Sequence, residues 1–337
     1  MPHTMQKRPP HRQRPPLAQQ AALALTLALG LLQSATAQSL ALVSSEKDNA
    51  ISVIRLSDLQ ILPAIPTCKR PRHMQLSHDH QRLLVACSDS AAADVIDLHT
   101  LKSVDHIPLS DDPEIFDVSP DGRTFYVSNE DDAALSFIDT ASRKVVASVP
   151  VGREPEGVRV SADGKTVYVT SEIANSVHVI DTASRKLLKT IAVGQRPRRM
   201  ALTPDGRELW VTNELGASVS IISTAEQKVI ATLLLDLPGA RASDITPVGL
   251  QISRDGRRAF VSMGRANHVA FIDVASRRIT DRVLVGRRAW GLALSQDEKR
   301  LYVVNGLSDD LSVVDVPAAR ALQTLPVGRV PHTVVLY

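Results

Sequence analysis

Two cysteines, two tryptophans and an aromatic content of 3% leave little room for several common chemistries. Two thiols cannot supply a four-cysteine zinc site, and no Cys-x-x-Cys-His run is present to attach a c-type haem. No Gly-x-Ser-x-Gly elbow and no His-Glu-x-x-His pair occurs, so the motif signatures of α/β-hydrolases and zinc proteases are missing. Apolar residues nowhere recur at the 3.6 spacing of an amphipathic helix, which removes the helical repeat architectures. The longest apolar run, Leu17 to Leu32, is too short for a membrane-spanning helix.

That run has another use. Lys7, Arg8, Arg12 and Arg14 precede it with no acid among them, and the small residues Ala35-Thr36-Ala37 follow it. This is the pattern of a secretory signal over residues 1–37, cleaved after Ala37. No adjacent arginine pair accompanies it, so export by the general Sec route to the periplasm or medium is expected. Without these four cations the chain keeps 35 basic residues against 36 acidic ones, so its basicity belongs to the leader. Nucleic-acid binding through overall charge is thereby excluded.

What fills residues 38–337 is repetition. The Val of a Tyr-Val-Ser-Asn core recurs at Val43, Val85, Val127, Val169, Val211, Val261 and Val303, in five steps of 42 residues and one of 50. Each copy holds three runs rich in β-branched residues, such as Thr166–Thr170, Ser176–Ile180 and Leu187–Val193, with a fourth run ahead of them at Gly157–Val160. Asp-Gly pairs following Ser119, Ser161, Thr203 and Ser253 provide tight hairpins through positive backbone torsions. A second turn follows Asp97, Asp139, Asp181, Asp273 and Asp315, whose carboxylates can accept backbone amides just downstream. Arg55 and Ser223 replace that Asp in two copies, and His80 and Glu298 replace the hairpin Gly in two others.

Four antiparallel strands per 42 residues is the period of a propeller blade. The expectation is therefore an all-β, seven-bladed β-propeller in one domain, monomeric, with no membrane span. The first copy, Leu40 to Ile65, has only three runs, and Val330 to Tyr337 is a lone first strand. The C-terminal strand should thus complete and close the first blade, removing the free sheet edge.

The Phe-Tyr-Val-Ser-Asn and Tyr-Val-Thr-Ser cores, the Val-Ile-Asp-Thr runs and the Val-Gly-Arg-Glu-Pro-Glu-Gly junction at Val151 resemble the YVTN-type β-propeller repeat. The order of junctions, Arg-Pro-Arg at Arg70, Asp-Pro-Glu at Asp112, Glu-Pro-Glu at Glu154, Arg-Pro-Arg at Arg196, Pro-Val-Gly at Pro247 and Ala-Trp-Gly at Ala289, resembles the β-propeller proteins associated with PQQ-dependent catabolism. That resemblance implies a non-catalytic, exported accessory protein of quinoprotein-linked alcohol oxidation, partnered by a quinoprotein dehydrogenase or its cytochrome. The quinoprotein dehydrogenases themselves resemble eight tryptophan-rich blades with a vicinal cysteine pair, which this chain lacks. Two alternatives of other classes stand beside it: a small-molecule hydrolase of the seven-bladed lactonase type, using Glu, Arg and His at the channel mouth, and a protein-binding scaffold.

The register names the residues at that mouth. One position after the junction proline come Arg72, Glu114, Glu156, Arg198, Val248, Trp290 and His332, and one before it come Arg70, Asp112, Glu154, Arg196, Thr246, Arg288 and Val330. The loop after the second strand adds Glu46, Glu130, Glu172 and Glu214. In one reading Arg72 and Arg198 clamp ligand carboxylates bidentately and Trp290 stacks on a planar ring, which PQQ would satisfy. In another, arginines and glutamates of neighbouring blades pair and plug the channel. A Ca²⁺ site from Glu114, Glu156 and the loop acids is a third.

Three further features stand outside the ring. Cys68 replaces the junction Gly of other copies (Gly152, Gly194, Gly286, Gly328) and Cys87 replaces their Asn (Asn129, Asn213, Asn305), so the two form either a disulfide or a pair of buried thiols. An eight-residue insertion between Leu233 and Pro247 should lie on the face that carries the ring, as a lid, a partner contact or surface decoration. His78-Asp79-His80 replaces one hairpin turn, where it is either a metal-binding pair or a solvated turn.

Overall fold

Short β-branched runs of six or seven residues, almost wholly buried in the middle strands of each copy and cut by turns of the Ser-x-Asp-Gly type, leave each copy able to form only a small antiparallel sheet. The computed structural model describes residues 39–337 together with Met1 and His3, so the expected leader over 1–37 lies outside the described residues. Among the described residues the strands form seven four-stranded antiparallel sheets. Blades two to seven cover 71–108, 113–150, 155–192, 197–234, 250–284 and 289–326. The first blade takes its outer three strands from 40–66 and its inner strand from Pro331–Leu336, which pairs antiparallel with Leu40–Ser45. The ring therefore closes through the two ends of the repeat array, as the sequence requires.

The hairpins differ in detail from the expected two-residue turn. In Ser119-Pro120-Asp121-Gly122 only the glycine is left-handed, at φ 71°, while the aspartate stays on the right-handed side. Its carboxylate instead accepts the Ser119 hydroxyl at 2.6 Å and the Arg123 amide at 3.1 Å, fixing the turn from within. The second turn behaves similarly: the Asp139 carboxylate takes the Ser142 amide at 2.7 Å, and Ser223 substitutes by accepting the Glu226 amide through its hydroxyl at 3.2 Å.

Between blades the faces interlock through seven apolar clusters, each drawing residues from adjacent sheets. One joins Trp210, fully buried, to Ala259, Val261 and Ile272 of the next blade. Burying a side chain of this size against neighbours stabilises by roughly 1.5–3 kcal/mol, which is why a blade that cannot bury its faces alone does so in a ring. The inserted segment contributes to the same cluster through Leu235 and Ile245. Its middle forms a single 3-10 turn, Ala242–Asp244, and the inner strand that follows is cut to Leu250–Ile252. The insertion is thus anchored in the core at both ends.

Cys68 and Cys87 are bonded, their Cα atoms 5.8 Å apart. The other blades explain the position. A Cβ built at Gly194 would lie 2.6 Å from the Asn213 side-chain carbon, and one at Gly286 2.7 Å from that of Asn305. Junction and strand approach so closely that a glycine must face the asparagine, and in the second blade a covalent bridge occupies the same space.

Candidate functional site

Every inner strand starts at its junction and runs down the central channel, packing against its counterparts in the adjacent blades. Six of the seven are also irregular at their start: the pairing slips between Pro71 and Met74, Pro113 and Phe116, Pro155 and Val158, Pro197 and Met200, and Ala289 and Leu292, and opposite Val43 and Ser45 for the closing strand. Such a bulge breaks the two-residue alternation, so that consecutive side chains can face one way. Two successive rings of residues therefore meet the channel.

The upper ring holds the residues singled out by register: Arg72, Glu114, Glu156, Arg198, Val248, Trp290 and His332, all buried. Arg72 donates through Nη1 to Glu114 of the next blade. Arg198 Nη1 donates to Glu172 and stands 3.4 Å from Glu156, while its Nε is 3.1 Å from Glu214. Two guanidinium groups lie over the Trp290 indole, Arg288 at 4.3 Å and Arg198 at 5.1 Å from the ring centroid. On the junction side Arg196 Nε bonds Glu172 at 2.6 Å, and Arg70 lies 3.4 Å from Glu46 and 3.7 Å from Asp112. The ring is a septum of interlocked charges across the channel.

Its electrostatics follow from crowding. Burial drives the Glu114 carboxyl above the ordinary range, Glu156 beside it pushes further, and Arg72 only partly offsets them. Burial also acts on Glu156, but Arg198, Arg199 and Arg72 outweigh it and hold that group ionised, below its ordinary value. One proton between the two carboxyls is the result expected when like charges share a site.

Beyond the septum, toward the hairpin face, the channel widens into a cavity of about 580 Å³. Its polar lining comes chiefly from the second ring and the strand positions below it: His73, Gln75, Asp117, Arg159, Arg199 and Gln251. Arg199 bridges the two levels, with Nη2 3.7 Å from Glu156 and 3.2 Å from His332 Nε2. A guanidinium can only donate, so His332 Nε2 accepts and its Nδ1 carries the proton toward the Thr333 hydroxyl, 3.0 Å away. Burial, with Arg199 and Arg72 adding to it, holds His332 neutral, well below its ordinary value. His73 falls to about 3 through burial and the nearby Arg199 and Arg159. Burial lowers Arg199 itself to about 10, and it stays cationic at neutral pH. The Asp117 carboxylate accepts Gln75 Nε2 at 3.1 Å and the Val160 amide at 2.9 Å, with Arg159 at 3.6 Å.

Of the residues singled out by register, His332 lines the cavity, while His73 and Arg199, one position further along their strands, are lining residues that the register did not single out. A signal was available. Gly157, Gly249 and Gly291 occupy the same register, and a Cβ at each would lie 2.2, 2.2 and 2.5 Å from the carbonyl oxygen of Arg198, Trp290 and His332 respectively. Glycine in three copies marks the crowded neck; at the same register His73, Arg199 and Thr333 line the cavity, while Ile115 packs into an apolar cluster between blades. His78 and His80 lie at the cavity rim. Asp79 caps its own turn, accepting the Ser77 hydroxyl at 2.6 Å.

A family model described as "Lactonase, 7-bladed beta-propeller" matches residues 145–229 and 190–332, together more than half of the chain, and one described as "YNCE-like beta-propeller" matches 79–160. Comparison with curated proteins finds no match. Among solved structures, the periplasmic gluconolactonase PpgL of Pseudomonas aeruginosa superposes with a TM-score of 0.74 at 20% identity, covering 88% of this chain and 98% of that one. Hydrazine synthase of Kuenenia stuttgartiensis gives 0.74 at 23%, covering 82% and 92%. A protein of unknown function from Desulfotomaculum acetoxidans gives 0.75 at 17%, covering 88% and 98%. At these identities the structural likeness is one of fold. The lactonase match overturns the expected role as a non-catalytic accessory of PQQ-linked oxidation. The geometry agrees: Arg72 and Arg198, cast as clamps for a tricarboxylate, already hold glutamates inside the septum.

Proposed function

The chain belongs to the family of seven-bladed lactonase β-propellers, and on that premise we propose that it hydrolyses a small lactone in the cavity beneath the septum. The match over 145–332 carries this reading. The cavity supports it, since about 300–1,000 Å³ with a few convergent polar groups is the usual form of a small-molecule site. In this reading Arg199 lies against the lactone carbonyl oxygen, where its charge stabilises the oxyanion formed as water adds to the carbonyl carbon. Neutral His73 and the Asp117 carboxylate line the same space, and the carboxylate takes the proton of that water and holds it for the leaving alkoxide. The ring carbon–oxygen bond then breaks, and the released alkoxide recovers a proton. Gln75 and Gln251 offer hydrogen bonds to hydroxyl groups, so an aldonolactone of the kind named for the Pseudomonas relative is the substrate class to try first. The YVTN-like cores and the leader over residues 1–37 fit an exported enzyme of this type.

Hydrolysis of glucono-δ-lactone by the purified protein, followed by proton release, tests the reading. We expect turnover above the uncatalysed rate, and a loss of about 10²-fold or more in kcat/KM for Arg199→Ala, the magnitude typical of removing one oxyanion donor. A folded protein inactive on a panel of sugar lactones would overturn it.

A further inference from the structure

On the junction side of the septum, away from the cavity, the third blade gathers three acids. Asp112 sits at the junction with a left-handed backbone, φ 44°. Glu114 is the second residue of the strand Pro113–Val118, and Glu130 follows the strand Thr124–Asn129. One carboxylate oxygen from each lies within 4.8 Å of the others. Independently of their grouping, Glu114 is 1% exposed and its Oε2 is buried without a donor, Oε1 being taken by Arg72. Glu156 of the adjoining blade is 3% exposed, its Oε1 likewise without a hydrogen-bond donor though Arg199 Nη2 stands 3.7 Å away, and it is close enough to Glu114 for their carboxyls to hydrogen bond. Orphaned buried carboxylate oxygens are costly and call for an explanation.

The repeat supplies a comparison within the molecule. Where the fourth and fifth blades bring Glu156, Glu172 and Glu214 together, Arg196 and Arg198 stand among them with contacts of 2.6 to 3.4 Å. At the corresponding place in the third blade the junction residue is Asp112 instead of an arginine, and the ring residue is Glu114. Two cations have been exchanged for two anions. Among the described residues only Arg72 reaches in from the septum, and Arg70 stays 3.7 Å from Asp112 on a side chain 38% exposed. We propose that a hard divalent cation of the Ca²⁺ type binds between Asp112, Glu114 and Glu130, in the position that arginines fill two blades on. Three carboxylates with water completing the shell suit such an ion, which takes six to eight oxygens, and the partly exposed Asp112 and Glu130 leave it a route in. This site is separate from the cavity of the proposed hydrolysis and does not depend on it.

Calcium chloride titrated calorimetrically into the full protein, freed of cations by EDTA, should give saturable one-site binding. Asp112→Asn and Glu130→Gln, both at partly exposed positions that leave the septum in place, should each weaken it about tenfold or more, in line with loss of one ligand. Glu226→Gln, on a distant turn, should leave it unchanged. No saturable heat from the folded protein would overturn the site in favour of a proton shared by Glu114 and Glu156, as would binding indifferent to both substitutions. Should a variant fail to fold, anomalous scattering from crystals of the wild type grown with Mn²⁺ decides: a peak among the three carboxylates supports the site, and its absence there refutes it.

Discussion

His332 shows how one side chain can be fixed by the charges around it. It lies at the septum with Arg199 donating to Nε2, and the ring's second proton, placed on that nitrogen, would meet a cation at 3.2 Å. His73 is held down to about 3 by burial and by Arg199 and Arg159. Both are therefore neutral when folded and free to protonate when unfolded, below their ordinary value of 6.5. The sign follows. A folded pKa lying under the unfolded one means the unfolded chain binds more protons, so the stability these groups contribute is complete above pH 6.5 and is lost as pH falls below it, for His73 down to about 3. Each can add a slope of up to about 1.4 kcal/mol per pH unit in that window. Urea midpoints measured from pH 7.5 to 4.5 should fall, and His73→Gln should flatten the curve. A variant curve as steep as the wild type would show that His73 carries no such linkage.

At the scale of elements, the second blade differs from its siblings in one covalent bond. Cys68 and Cys87 close a loop with a sequence separation of 19, for which chain entropy alone assigns about 3 kcal/mol of stabilisation. Cys68→Ala with Cys87→Ala should lower stability by about that amount, measured by chemical denaturation. The pair Cys68→Gly with Cys87→Asn should cost less, because it restores the contact that Gly194 makes with Asn213 three repeats further on. Equal losses for the two double variants would mean that the asparagine arrangement carries nothing in this blade. The exchange was visible in the sequence as a departure from register at both ends of the bridge, although the register could not choose between thiols and a disulfide, since that depends on a distance. Strand positions and the closing strand were legible for a simpler reason. A 42-residue step and its turn residues are local, and seven copies repeat the same message.

For the whole molecule, the step of 42 placed seven side chains on one ring, and the structure brings them together there. It could not say that the ring is a closed septum, because whether Arg72 meets a glutamate or a ligand depends on the reach of side chains across blades. Nor could it place the cavity, because a bulge at the head of an inner strand turns a second residue into the channel against the alternation that a strand pattern assumes. The septum has an energetic consequence of its own. Arg198 faces Glu156, Glu172 and Glu214, drawn from the fourth and fifth blades, and is itself 7% exposed. Arg198→Met removes the charge but keeps the bulk, leaving three carboxylates with little but Arg196 and Arg199 to balance them. Breaking a buried pair from one side costs about 3–5 kcal/mol. Arg70→Met, at a side chain 38% exposed and in loose contact with Glu46, Asp89 and Asp112, should cost about 1 kcal/mol or less, as surface pairs do. Denaturation midpoints of the two variants compare these directly. If Arg198→Met lost no more than Arg70→Met, the blades would be held by their apolar faces alone, and the charged ring would be a filling for the channel instead of a tie across it.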